Sequence, residues 1–234
     1  MRPASRELSP QDEVIPGVQW GRPEWVPSAA YWAVMVKFSD KDDNYVCTDA
    51  TLKEQVGFCL LGGFGITAEM NHAIFDRLHG EGIFADRFLP EAQKIEKLLL
   101  EPVSVEGKLR RYRFPHQRSA RLARAMRLVE ENPPATDEPK RFRDDLMRIP
   151  GIGPKTASWI TRNWLGSDDV AILDIHIIRA GLLIGLFDRG QTVPRDYSAM
   201  EERFLSFARA LNVRPSLLDA VMWREMRKLH RGPV

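Results

Sequence analysis

Lys155 and Asp174 are the two residues whose type and spacing most suggest chemistry. Lys155 follows Pro150-Gly151-Ile152-Gly153-Pro154, in the first turn of the helix that Pro154 favours. An amine in that place can attack an electron-poor carbon and form a Schiff base. It must be neutral when it attacks, a form that desolvation or neighbouring cations favour. The plainer alternative is a lysine that contacts phosphate. Asp174 stands in Leu173-Asp174-Ile175-His176, where it can N-cap the helix that follows. A carboxylate there can also stabilise positive charge that develops during a reaction. Trp159 lies one helical turn after Lys155, so an indole shares the face of the amine. Asp219 and Trp223 repeat that spacing near the C-terminus. A carboxylate can accept two adjacent N–H donors, and an indole can stack on a flat ring. For each tryptophan taken alone, the alternative is a place in the core.

These residues need elements to hold them. Residues 146–165 read as a short helix, a Gly-x-Gly turn and a second helix. Gly151 and Gly153 allow dihedrals and close approaches that a side chain would block. Backbone N–H groups at such a bend grip a phosphate without reading sequence. The formal net charge is only +2, so no global attraction to a polyanion is implied. The distribution says more. Between Lys108 and Arg127 there are eight Lys/Arg and no Asp/Glu. Within that run Arg118, Arg121 and Arg124 share one helix face, while Leu122, Met126 and Val129 point inward. Arg214, Arg224, Arg227, Lys228 and Arg231 form a second basic stretch. Such local basic surfaces suit a phosphate backbone, the alternative being ordinary solvated helix faces.

The stretch Ile149-Pro150-Gly151-Ile152-Gly153-Pro154-Lys155-Thr156-Ala157 resembles the helix-hairpin-helix of the base-excision DNA glycosylases. Asp174 matches that superfamily's catalytic aspartate. The lysine combined with Leu-Asp-Ile-His looks most like the 8-oxoguanine DNA glycosylases. The resemblance implies a bifunctional DNA glycosylase/AP lyase, with Lys155 as nucleophile and Asp174 stabilising the sugar's positive charge. It implies a base pocket of Trp159, Asp219 and Trp223, and DNA-backbone contacts from Gly151, Gly153, His176, Arg118 and Arg121. It further implies a monovalent cation on the carbonyls of Met147, Ile149 and Ile152, no organic cofactor, and a duplex with a damaged base as partner to a monomeric protein. Where the animal enzymes read the base with a glutamine and an aromatic, this chain has Asp219 and Trp223. An oxidised-pyrimidine glycosylase of the endonuclease III type is a rival, but Cys47 and Cys59 are too few for its four-cysteine cluster. A monofunctional adenine glycosylase would have no use for Lys155. A non-catalytic helix-hairpin-helix module would explain the loop but neither Asp174 nor the tryptophans.

The expected fold is all-α. Residues 1–28 read as an irregular arm, residues 29–38 as a buried helix or strand, and Ser39 to Asn44 as a charged turn. Helices are expected at 51–61, 67–78, 90–100, 118–129, 142–147, 155–165, 175–186, 197–211 and 217–229, from their apolar periodicity and caps. The resemblance implies two helical domains with DNA across the cleft between them. One spans 49–168 and ends in the hairpin; the other joins 1–48 to 169–234 and carries Asp174 and the C-terminal base-reading helix. The start shows no apolar core of a signal peptide and no run approaches a membrane span, so an intracellular, cytoplasmic protein is expected.

Overall fold

The computed structural model describes residues 8–39 and 49–229. Most of the expected turn at Ser39 to Asn44, like Cys47, lies outside them. Ten helices and four short strands are described. The helices are α1 (Ala29–Phe38), α2 (Leu52–Leu61), α3 (Ala68–Gly80), α4 (Ala92–Leu100), α5 (Pro115–Glu131), α6 (Pro139–Leu146), α7 (Pro154–Leu165), α8 (Ile175–Leu183), α9 (Tyr197–Ala210) and α10 (Pro215–Leu229). Their starts are written in local chemistry. Ser28, Thr51, Thr67 and Asp174 each accept a first-turn N–H, and Thr51 with Glu54 makes a reciprocal capping box. Proline opens α5, α6 and α7, where its missing N–H costs nothing.

Two features depart from the all-helical expectation. The N-terminal arm folds as an antiparallel pair, β1 (Glu13–Ile15) and β2 (Val18–Gln19), and Val18 is buried. The basic run opens in a hairpin, β3 (Val103–Val105) with β4 (Lys108–Arg110), turning through Glu106 and Gly107 at positive φ. Val103 and Val105 face the core and Ser104 does not. Three residues of alternation are too short a stretch for periodicity to mark a strand. Helix α8 is three residues shorter than expected and ends at Ile184, just before Gly185 at φ 73°.

The chain divides into two compact units, Cys47–Gly166 and Met1–Val46 joined to Ser167–Val234. The first is built on α2 to α7. Its core holds Leu60, Leu61, Ile74, Leu78, Ile95, Leu99, Leu122 and Phe142, all buried. A large apolar side chain buried in this way contributes about 1.5–3 kcal/mol. Phe142 of α6 stacks on Trp164 of α7 with centroids 5.2 Å apart, and Leu146, Ile149, Ile152 and Ile160 complete the seam between the two helices.

In the second unit, Trp32 of α1, Phe204 and Phe207 of α9, and Leu218 and Met222 of α10 surround Leu173 and Ile177. Residues 170–173 run buried through this core without forming helix or strand. No described helix is long and apolar enough to cross a membrane.

Candidate functional site

In the unit Cys47–Gly166 the hairpin forms as its residues require. Helix α6 ends at Met147, Ile149 N–H bonds the Leu146 carbonyl at 3.0 Å, and Ile152 N–H bonds the Ile149 carbonyl at 3.0 Å. The two glycines differ in what they do. Gly151 has φ 94°, and a Cβ there would stand 2.5 Å from Arg121 Cδ. Gly153 has φ −97°, which any residue adopts, and a Cβ there would meet open space. The expectation that both glycines need unusual dihedrals therefore holds for Gly151 alone. Gly153 N-caps α7 without any side-chain cap, which presents the first N–H groups of that helix to an anion. Gly151→Ala combines a left-handed backbone with the clash against Arg121. It is expected to lower unfolding free energy by at least about 1–2 kcal/mol in urea melts, the penalty of the left-handed region alone.

Lys155 is exposed in the first turn of α7. Of the two conditions that favour a neutral amine, this exposed position does not by itself supply desolvation. Its charge is felt by Cys59 of α2. Burial pushes the Cys59 thiol up to about 12, against the opposing effect of Lys155, so the thiol stays neutral. Trp159 is half-buried, with one face towards Phe58 at 6.4 Å and 20° between the planes.

The two arginines of α5 are placed differently. Arg121 lies against Gly151 of the hairpin. Arg118 reaches back to α2, where its Nη1 donates to the Leu60 carbonyl at 2.7 Å. Arg118 is thus part of the scaffold, which local spacing on α5 could not reveal. Tyr112 Oη donates to the Leu61 carbonyl at 2.5 Å, and Asn71 Nδ2 to the Phe58 carbonyl at 3.2 Å. The end of α2 is therefore held by three side chains from elsewhere in the unit. Beyond it, Phe64 is 96% exposed between Gly63 and Gly65, both at positive φ.

In the other unit Asp174 N-caps α8. Its Oδ1 accepts from His176 N–H at 2.8 Å and Ile177 N–H at 3.0 Å, so Oδ2 is not used by the cap. The His176 ring meets the Trp223 ring edge-on at 6.4 Å, which brings the start of α8 to α10. His176 Nδ1 is buried and makes no hydrogen bond among the described residues. Trp223 is 41% exposed, and the Arg227 guanidinium lies 4.4 Å from its ring centroid. Asp219, one turn earlier, is buried.

Helix α10 is seated by Asp168, which accepts from Ser216 N–H at 3.0 Å and Arg214 Nε at 2.9 Å. Burial would raise the Asp168 pKa, but the bonds from Ser216 and Arg214 outweigh it and hold the carboxyl below its usual range. Nothing local in Ser167-Asp168-Asp169 announces a partner so far along the chain. Tyr197 and Glu201 of α9 also bond the backbone leading into Asp174.

The family model described as 8-oxoguanine DNA glycosylase matches residues 48–213, a span that includes Lys155 and Asp174 but not Asp219 or Trp223. The 8-oxoguanine DNA glycosylase/AP lyase of Saccharolobus solfataricus is 38% identical over 103 residues, 42% of this chain and 48% of that protein. The match spans about half the length of such curated relatives. The crystal structure of the 8-oxoguanine DNA glycosylase of Thermotoga maritima superposes with a TM-score of 0.53 at 25% identity, covering 88% of each chain. The Methanocaldococcus jannaschii 8-oxoguanine glycosylase/lyase, in complex with a 15mer DNA containing 8-oxoguanine, has the same fold. Its TM-score is 0.57 at 24% identity, over 86% of this chain and 89% of that one. With a helix-hairpin-helix at residues 146–165 and a family match over most of its length, the chain belongs to the 8-oxoguanine DNA glycosylase family.

Proposed function

We propose that this chain is a bifunctional DNA glycosylase/AP lyase that removes 8-oxoguanine from duplex DNA. The observation that carries the reading is the family match across both Lys155 and Asp174, joined to an uncapped α7 N-terminus beside the Gly151 turn. The relatives named 8-oxoguanine DNA glycosylase/AP lyase support it.

The target base leaves the stack, since its glycosidic bond is out of reach inside a duplex. The α7 N-terminus and Arg121 bind backbone phosphates. Lys155 Nζ attacks C1′ of the sugar, and the C1′–N9 bond breaks with its electron pair leaving on the base. Ring opening gives a Schiff base between Lys155 and C1′. Loss of a C2′ proton then expels the 3′ phosphate, which cuts the strand. Asp174 Oδ2 stabilises the positive charge that builds on the sugar as the base departs. The duplex supplies the desolvation of Lys155 that the chain alone does not. Three backbone carbonyls on one turn, those of Met147, Ile149 and Ile152, suit a hard monovalent cation, and the Ile149 carbonyl keeps a lone pair beyond its bond to Ile152 N–H. Such a cation would add positive charge beside the bound phosphate. The protein works as a monomer inside the cell.

For base identity, Asp219 accepts N1–H and N2–H₂ of a guanine edge, and Trp159 and Trp223 stack. Thymine glycol offers a single edge donor between two carbonyls, which a carboxylate repels. A panel of single-lesion duplexes tests the reading. Wild type is expected to excise 8-oxoguanine in strong preference to thymine glycol. Asp219→Asn turns one acceptor into a donor facing a donor, a mismatch of about 1–3 kcal/mol or more, equivalent to a loss of roughly 5- to 150-fold or greater. Trp223→Ala forfeits stacking of about 1–3 kcal/mol. Both variants should still form the Schiff base at a pre-made abasic site. Efficient 8-oxoguanine removal by Asp219→Asn would place Asp219 outside the pocket, and a preference for thymine glycol would favour the endonuclease III type.

A further inference from the structure

Residues 170–173 are buried but belong to neither helix nor sheet. Their backbone polar groups must still find partners. Two side chains of α9 supply them. Tyr197 Oη donates to the Ala171 carbonyl at 2.6 Å and accepts from Leu173 N–H at 3.3 Å. Glu201 Oε1 accepts from Ala171 N–H at 3.0 Å. Tyr197 and Glu201 are four residues apart, so they stand one above the other on one helix face. From that face Tyr197 bonds both Ala171 and Leu173, and Glu201 bonds Ala171. Two side chains of one helix thus hold three backbone groups of the buried segment.

We propose that Tyr197 and Glu201 are positioning residues for the reaction: a clamp that fixes the segment entering Asp174 and so sets where the Asp174 carboxylate stands. The proposal rests on the catalytic reading of Asp174 given above. The cap bonds to His176 and Ile177 fix Asp174 relative to α8 only. The clamp fixes it relative to α9 and the core of the unit. Asp174 N–H bonds the Ile172 carbonyl at 2.9 Å, so the last link before the cap follows the clamped residues directly. Tyr197 is 3% exposed and Glu201 1%, so water offers little substitute when one of these bonds is lost. Packing alone would be served as well by phenylalanine and by an apolar residue.

Tyr197→Phe keeps the ring and removes the hydroxyl, and two measurements read the result. Hydrogen exchange at the Leu173 amide should accelerate by about 10-fold or more, the size of one lost hydrogen bond. Single-turnover excision of 8-oxoguanine should fall on the order of 10-fold, while borohydride trapping at a pre-made abasic site stays within about 2-fold, because no base departs there. Glu201→Gln keeps an acceptor oxygen and should retain excision within about 2-fold, whereas Glu201→Ala should fall with Tyr197→Phe. The Glu201 pair makes the same comparison should Tyr197→Phe fold poorly. Unchanged Leu173 exchange in Tyr197→Phe overturns the clamp. So does a parallel loss of excision and trapping, which marks mere loss of folded protein, or a Gln variant as impaired as Ala. Asp174→Asn is run beside them. If it excises as well as wild type, the catalytic reading of Asp174 fails, and Leu173 exchange still reports on the clamp separately.

Discussion

Sodium borohydride should trap a covalent complex between the wild-type protein and 8-oxoguanine DNA, and Lys155→Gln should abolish it. The hydride reduces the C=N bond between Nζ and C1′ to an amine that cannot hydrolyse, so the trap reports the lysine directly. Glutamine is a good helix former at an exposed position, and the change should leave stability within about 0.5 kcal/mol. Loss of the complex then marks lost chemistry rather than a lost fold. Cys59, the neighbouring nucleophilic type, is held as a neutral thiol and does not compete. Trapping by Lys155→Gln at the wild-type level would assign the Schiff base to another amine.

Asp174→Asn should reduce single-turnover excision on the order of 10²-fold or more, the scale of removing one group that stabilises developing charge. The substitution separates the two jobs of the residue. Asparagine caps a helix about as well as aspartate, and its Oδ1 can take over the bonds to His176 and Ile177. The negative charge is all that goes. Thermal stability and affinity for undamaged duplex should therefore stay close to wild type. Asp174→Ala loses the cap as well and should cost about 1 kcal/mol of stability. Full excision activity in Asp174→Asn would leave the residue with its cap alone.

Much of the helical framework is legible in the sequence because it is set by neighbours. Thr51 with Glu54, Thr67 before Met70, and Pro154 after Gly153 each announce a helix start within four residues. Short hairpins are less visible: β3 and β4 offer three residues apiece, and Glu106 takes a positive φ that its side chain does not advertise. Contacts across long stretches of chain are not visible at all. Arg118 looks like a surface cation by its spacing on α5, yet it bonds the Leu60 carbonyl. Asp168 and Tyr197 likewise act on residues that folding, not sequence, brings near. Lys155 shows the converse. Its place in the motif marks it, while its surroundings in the chain alone do not.

The way α2 ends also bears on how this protein can change. The carbonyls of Leu60 and Leu61 are taken by Arg118 and Tyr112, and Asn71 joins the Gly62 N–H on that of Phe58. Beyond the Gly62 cap, the bonds at the end of α2 come from side chains outside the loop that bears Phe64. Lengthening such a loop costs mainly closure entropy, about 0.6 kcal/mol for each doubling. Related sequences are free to exchange the length of that loop and the residue at its tip while α2 stays seated. What the loop touches can then diverge without the core beneath it having to follow.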